Sequence, residues 1–403
     1  MTPSRALATA FFLVSLSAAV PAAAGDSAIK IGVLTDLTSF ASRSAGQGSI
    51  DAVKIAVQDF GGTVLDKPIE VIFADMQSKP DLAVEIARRW YESDHVDLIV
   101  DVPNSAAASA IRSMATDNHR VFIPTIAASS AITGKGCSPN TIHWVVNTTA
   151  ISRALVSALT ADGARSWFLL MPDYAVGKAF AADARRAIES VGGTVVETVY
   201  FPVNTSDFAQ FVLRAQASGA DVIATGAIGT DLSNLIKQAD EFDVLPSSKQ
   251  RLAAFVVTVS EIHGTGLQIM QGVWAMQDFY WDQNDQTRAF AEKFFAKENR
   301  MPDFTHAGNY SAVTDYLAAV KAAGTDDAAQ VVGQLKHGPV PRFGEPSVVR
   351  ADGRAIFDVR LYRVKSPTES SGPWDLLKQA GVIDGGKVFD PMDAENCPLA
   401  QPK

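Results

Sequence analysis

The sequence predicts an α/β protein built as two doubly wound parallel-sheet lobes. Three observations lead there. Its 403 residues are more than one hydrophobic core usually holds. Short, continuous apolar runs alternate with segments of helical spacing, the pattern of parallel strands covered on both faces. That alternation runs through once, restarts near residue 150 and runs through again. With 47% hydrophobic and 20% charged residues the chain reads as a soluble globular protein. A formal net charge of -9 offers no basic stripe to a nucleic acid, so none is expected as partner.

Residues 1–24 stand outside this pattern. Arg5 supplies a positive start, 6–20 an apolar stretch and Ala22-Ala23-Ala24 a small-residue cleavage site. A secretory signal peptide cleaved near Ala24 is expected, with no cysteine placed for a lipid anchor. The first strand falls at 29–33 and is followed by a small-residue loop, 35–48. The next helix carries Ile50, Val53, Ala56, Val57 and Phe60 on one face and stops at Gly61-Gly62. A strand at 68–75 leads to a helix with Ser78 as cap and Pro80 in its first turn. The runs 98–102 and 121–126 are strands. Between them Ala107, Ala110, Ile111, Met114 and Ala115 fall at helical spacing behind Asn104 and Ser105, which stand where an N-cap belongs.

After 143–149 the pattern restarts. Helix 151–162 is followed by strand 166–172, loop 173–177, helix 178–191, strand 194–202 and helix 207–218. Strand 221–227, helix 232–242 and strand 253–259 complete the second set. An aromatic-rich run, 272–281, then leads to helices 287–299 and 309–323, the second preceded by a Phe304-Thr305-His306 turn. A short helix spans 326–336, a single alternating strand 354–364, and the tail 365–403 is rich in turns.

The loops 103–105 and 127–130 both follow carboxyl ends of neighbouring strands, where open α/β sheets bind ligands. A helix start there offers backbone N–H groups to an anion. Catalytic patterns are missing. Six histidines are scattered without metal-ligand spacing, 46–49 is not a nucleophile elbow, 134–137 is not a phosphate loop, and no dinucleotide fingerprint follows the first strand. No catalytic residue, metal or cofactor is therefore expected. In an oxidising compartment the two cysteines, Cys137 and Cys397, are a candidate disulfide tying the tail to the body, with two unpaired thiols as the alternative.

The ordered segments IKIGVLTDLTSF…GSIDAVKIAVQDFGG, VDLIVDVPNSAAASAI, FIPTIAASSAITGKGCSPNTIHW and PDYAVGKA resemble the leucine/isoleucine/valine-type solute-binding proteins of ABC transporters, which are type I periplasmic binding proteins. The resemblance covers nearly the whole mature chain. It implies two lobes joined by a three-strand hinge and closing on a small solute. One lobe would take 25–147 plus 282–357, the other 148–281 plus 358–403. The crossings would fall near 143–149, 280–283 and 356–360. It further implies a periplasmic location, a membrane ABC permease as partner, and a monomer. A ligand-sensing co-receptor and a secreted hydrolase are the readings from other classes.

The same resemblance marks residues for the solute. In amino-acid binders of this family a serine-type hydroxyl and backbone N–H groups hold the ligand carboxylate, and Asn104 and Ser105 match that loop, although both also suit a plain helix cap. Ala127, Ala128 and Ser129 match the segment that takes the amino group, with Ala128 where the family carries a threonine. Arg43 is either a carboxylate partner or a solvated surface residue, and Ser44 stands about where a side chain covers the ligand. From the second lobe, Tyr174 matches a cleft tyrosine, Ala227 and Ile228 make an apolar wall, and Ser260 and Glu261 fall near the acid that meets the ligand ammonium. Glu261 in the cleft would favour an amino acid. Arg43 and an apolar wall without it would favour an aromatic or other organic carboxylate. Tyr310 is a weaker candidate with a core role open to it.

Overall fold

The computed structural model describes residues 28–244, 250–392 and 397–400. The expected signal peptide, 1–24, lies outside the described residues. In the first lobe β1 (Ile29–Thr35), β2 (Thr63–Val64), β3 (Lys67–Asp75), β4 (Leu98–Asp101) and β5 (Val121–Pro124) form one sheet in the order β2-β3-β1-β4-β5. Apart from the short hairpin of β2 with β3 it is parallel, with Ile31 opposite Val71 on one side and Leu98 on the other. Both faces are covered. Ile29, Ile31, Val33, Val100 and Ile123 pack on α1 (Gly46–Phe60) through Ile50 and Val53. Leu34, Ile99 and Phe122 pack on α2 (Pro80–Glu92) and α3 (Ser105–Asp117) through Trp90, Ala107 and Ile111. Burial on both sides is why these strands lack an apolar–polar alternation.

The second lobe repeats the winding. α4 (Thr148–Ala161), β6 (Ser166–Pro172), α5 (Ala175–Ser190), β7 (Thr194–Phe201), α6 (Ala209–Ala217), β8 (Val222–Thr225), α7 (Gly229–Glu241) and β9 (Arg251–Ala254) follow in turn. After α8 (Val259–Thr265) and α9 (Leu267–Met270), β10 (Trp274–Gln277) completes the parallel part. The chain then returns to the first lobe with α10 (Asp285–Glu298), α11 (Phe304–Ala323) and α12 (Ala328–Lys336). Phe290, Phe294 and Ala307 of this group pack on Ala52 and Ile55 of α1. A hairpin, β11 (Ser347–Val349) with β12 (Ala355–Phe357), precedes β13 (Val359–Val364), β14 (Leu377–Ile383) and α13 (Gly385–Val388). The second sheet runs β14-β13-β10-β9-β8-β6-β7, its last two strands in sequence antiparallel. In each lobe the first strand lies between the next two strands parallel to it, β1 between β3 and β4, β6 between β7 and β8. That reversal of direction opens a crevice at the strand carboxyl ends.

Three segments cross between the lobes, 141–147, 278–284 and 354–358, and together they are the hinge. The first and third run side by side: His143 N donates to Gly353 O at 2.8 Å and Ala355 N to His143 O at 3.2 Å. Cys137 and Cys397 form a disulfide with Cα atoms 5.7 Å apart.

Several local expectations are corrected. Ser78 does not cap α2, whose N-cap is Lys79; its hydroxyl donates to Asp36 instead. The run 253–259 is a strand only to Ala254, and Val259 already opens α8. The Phe304-Thr305-His306 turn is the first turn of α11, because Asp303 and His306 cap its start reciprocally. The alternating run 354–364 is two strands in different sheets, and the tail contains β14.

Candidate functional site

Strand-end loops of both lobes line a cavity of about 70 Å³, room for a few water-sized spheres as it stands. From the first lobe come Ser44 after β1, Pro103 and Ser105 after β4, and Ile126, Ala127 and Ala128 after β5. From the second come Tyr174 after β6, Gly226 and Ile228 after β8, and Val256, Thr258 and Glu261 after β9. Val145, Val146 and Ile151 form the floor at the first crossing, with Val176 and Phe180 of α5 and Phe304 and Thr305 of α11 closing the sides.

The wall is mostly apolar. Its polar groups are hydroxyls and one carboxyl, and none of the described lining residues is basic. The β4 loop reaches it through strained backbone. Asp101 and Val102 have φ of 78° and 53°, and the latter is a value a β-branched residue rarely adopts. What holds them is a buried hub. Asp101 Oδ1 accepts from Ser49 Oγ at 2.9 Å and Asn309 Nδ2 at 2.7 Å, while Asp101 N donates to Thr125 Oγ1 at 3.2 Å. Burial pushes the Asp101 carboxyl up to about 6, against the pull of those hydrogen bonds. Asn104 then caps α3, its Oδ1 accepting from the backbone N–H of Ala106 and Ala107, both at 3.0 Å. Ser105 Oγ accepts from Ser129 N at 3.3 Å, so the two first-lobe loops are tied at the cavity.

In the second lobe Tyr174 occupies the N-cap position of α5, and its ring meets Phe40 of the first lobe edge-on at 6.3 Å between centroids. Glu261 faces the cavity and is already engaged. Its Oε2 accepts from Thr258 N at 2.7 Å, its Oε1 from Gly229 N, and its own N–H donates to Thr258 Oγ1 at 3.1 Å. It thereby joins the starts of α7 and α8. Burial is the main cause that pushes its carboxyl up to about 7, with the Asp303 charge adding to it against these hydrogen bonds. A cation seated beside it would oppose that rise.

Seven of the thirteen residues marked from sequence line this cavity: Ser44, Ser105, Ala127, Ala128, Tyr174, Ile228 and Glu261; Ala227 is buried in the second-lobe core instead. Four others stand around it. Asn104 is the cap just described. Ser129 is buried and caps a short turn through Ala131 N. Arg43 is exposed at the rim, where its Nη1 donates to Ser260 O at 3.3 Å. Ser260 is covered by the first lobe, its N donating to Asp303 Oδ1 at 3.0 Å and its Oγ accepting from Arg300 Nη1 at 3.3 Å. Tyr310 lies off the cavity, stacked on Phe343, tilted against Phe290 and donating its hydroxyl to Asp59 Oδ2 at 2.9 Å. Phe304, Thr305, Val256 and Thr258 were missed. The Thr258-Val259-Ser260-Glu261 capping pattern was the signal for the last of them.

The model for the periplasmic binding protein family matches residues 28–372. A periplasmic binding protein of Burkholderia mallei is similar in structure with a TM-score of 0.90 and 37% identity, covering 94% of this chain and 100% of that one. A protein of Burkholderia xenovorans, described as a branched chain amino acid ABC transporter periplasmic ligand-binding protein, gives 0.84 and 38%, over 93% and 100%. A Leu/Ile/Val-binding protein homolog of Brucella abortus is 25% identical over 215 residues, 53% of this chain and 53% of its own length. The chain thus spans about half the length of the curated relatives it matches. Fold and relatives agree: the chain belongs to the type I periplasmic binding proteins of the leucine/isoleucine/valine-binding family.

Proposed function

We propose that this chain is the solute receptor of an ABC importer. It takes a small amino acid or an aromatic or other organic carboxylate into the interlobe cavity, closes on it and presents the closed form to a membrane permease. The observation that carries the reading is the composition of the wall. Loops from both lobes contribute, so the full set of contacts exists only when the lobes are together, and binding draws the population to that state. On this reading Ser105, Ser44 and the start of α3 hold the carboxylate. Tyr174 and Ile228 cover the apolar body, the backbone of Ala127 and Ala128 approaches closely, and Glu261 receives an ammonium where the solute carries one. Asn104, Ser129 and Ser260 support this wall from behind, and Arg43 stands at its rim. The lobes divide as 25–147 with 282–357 and 148–281 with 358–403, the leader is removed near Ala24, and the protein works as a periplasmic monomer.

Thermal-shift screening of the purified chain against amino acids and aromatic acids tests this, because a ligand that binds only the folded state raises its midpoint. One compound class is expected to raise it in a concentration-dependent way. Ser105→Ala and Tyr174→Ala are expected to weaken that compound about tenfold or more, roughly 1.4 kcal/mol each. Unchanged affinity in both variants overturns the assignment of the site.

A further inference from the structure

Each of the three crossings sends one side chain to the same guanidinium. Arg342 lies in the turn between α12 and β11, where Arg342 and Glu345 exchange backbone hydrogen bonds of 3.0 and 2.9 Å. Its guanidinium carbon is 5.7 Å from the ring centre of Trp144 on the first crossing and 3.9 Å from that of Phe357 on the third. Its Nη2 is 3.2 Å from Asp278 Oδ2 on the second. The side chains of Arg342 and Asp278 are 6% and 0% exposed. Arginine suits this place because its plane can stack on aromatic faces while its edge pairs with a carboxylate.

Other contacts at the hinge join fewer segments. Arg354 donates to Val145 O, and its hydrogen bonds and those of its neighbours Gly353 and Ala355 join the first and third crossings, while Asp278 of the second acts on it through charge alone. The Asp278–Arg342 pair is also incompletely satisfied, since Asp278 Oδ1 and Arg342 Nη1 are buried without a hydrogen-bond partner. A buried pair of that kind is a poor source of stability.

We propose that Arg342 is the pin of the hinge, a positioning residue that gathers the three crossings so that they bend together and bring the lobes back to one closed angle. It touches no wall of the cavity and acts on the site through Trp144, Asp278 and Phe357. The inference rests on the lobe motion of the proposed function but on no particular solute.

The test is the interlobe distance in the full mature chain without solute, by double electron–electron resonance between spin labels at Ala110→Cys and Ser190→Cys. Both positions are exposed, on α3 and α5, which touch across the cleft. The native cysteines are bonded to each other and take no label. The unsubstituted hinge is the reference. Arg342→Met is expected to shift the distance distribution or widen it at least twofold. Arg342→Lys, which keeps the charge and loses the plane, is expected to lie between. Distributions that superimpose on the reference, even with a lowered melting point, overturn the proposal. Where Arg342→Met does not fold, Arg342→Lys and Asp278→Asn are judged by the same criterion. A solute screen that finds nothing leaves this measurement intact, and a null result here leaves the solute site intact.

Discussion

Asp101 links the sheet to the cavity loop after β4, and its burial has a pH consequence. Its folded carboxyl is raised to about 6 from an ordinary 3.8. Between those values the folded chain holds a proton that the unfolded chain has released, so its contribution to stability falls as pH rises through that window and is flat above it. Asp101→Asn keeps the acceptor for Ser49 and Asn309 and tolerates the left-handed backbone. The expected outcome is a stability difference between variant and parent that moves in favour of the variant from pH 4 to about 6.5, measured by urea unfolding. At this scale the site was partly legible. Ser105 and Tyr174 follow the ends of apolar runs, which locates them without coordinates. Arg43 was not decidable, because a long side chain in a loop reaches solvent and cleft alike; here it goes to the Ser260 carbonyl. Thr258 was hidden because the apolar run continues past the last ladder pair of β9 into the loop.

Helix α5 carries Tyr174, Val176 and Phe180 to the cavity, and its start is set by Gly177. A Cβ added there would meet the Pro172 carbonyl oxygen at 1.9 Å, which is backbone and cannot give way. Gly177→Ala is therefore expected to push the amino end of α5 off β6, to destabilise by about 1–3 kcal/mol and to weaken solute binding as well. Gly333→Ala in α12 is the control: nothing stands within 4 Å of its added Cβ, and a stability gain of roughly 0.5–1 kcal/mol is expected for removing a mid-helix glycine. Thermal unfolding of both variants checks the pair. Buried strands such as β6 were readable to the residue from their unbroken apolar runs. Helix starts were read late at α5 and α11, because their first turns hold cavity and lobe contacts instead of an amphipathic stripe. β14 escaped notice for a related reason: as an edge strand it buries little, and LKQAGVI shows no face.

For the whole molecule, the winding order was legible because it occurs twice, whereas the path of the tail was not. From β14 it turns back over the hinge, where Phe389 meets Phe357 edge-on at 5.3 Å and Arg153 of α4 donates to the carbonyls of Val388 and Phe389 at 3.2 and 3.0 Å. It ends in the disulfide to Cys137, on the loop after β5 of the first lobe. Cys137→Ser with Cys397→Ser is expected to cost roughly 2–5 kcal/mol, the range for losing a native bridge, read as a lowered denaturant midpoint that reducing agent reproduces in the parent. The bridge spans 260 residues, and all three crossings fall within that span. The backbone from 137 to 397 is consequently a closed ring, and a protease that nicks any one hinge segment opens the ring without parting its contents. The two halves would migrate as one species on a gel until a thiol is added, and as two fragments afterwards.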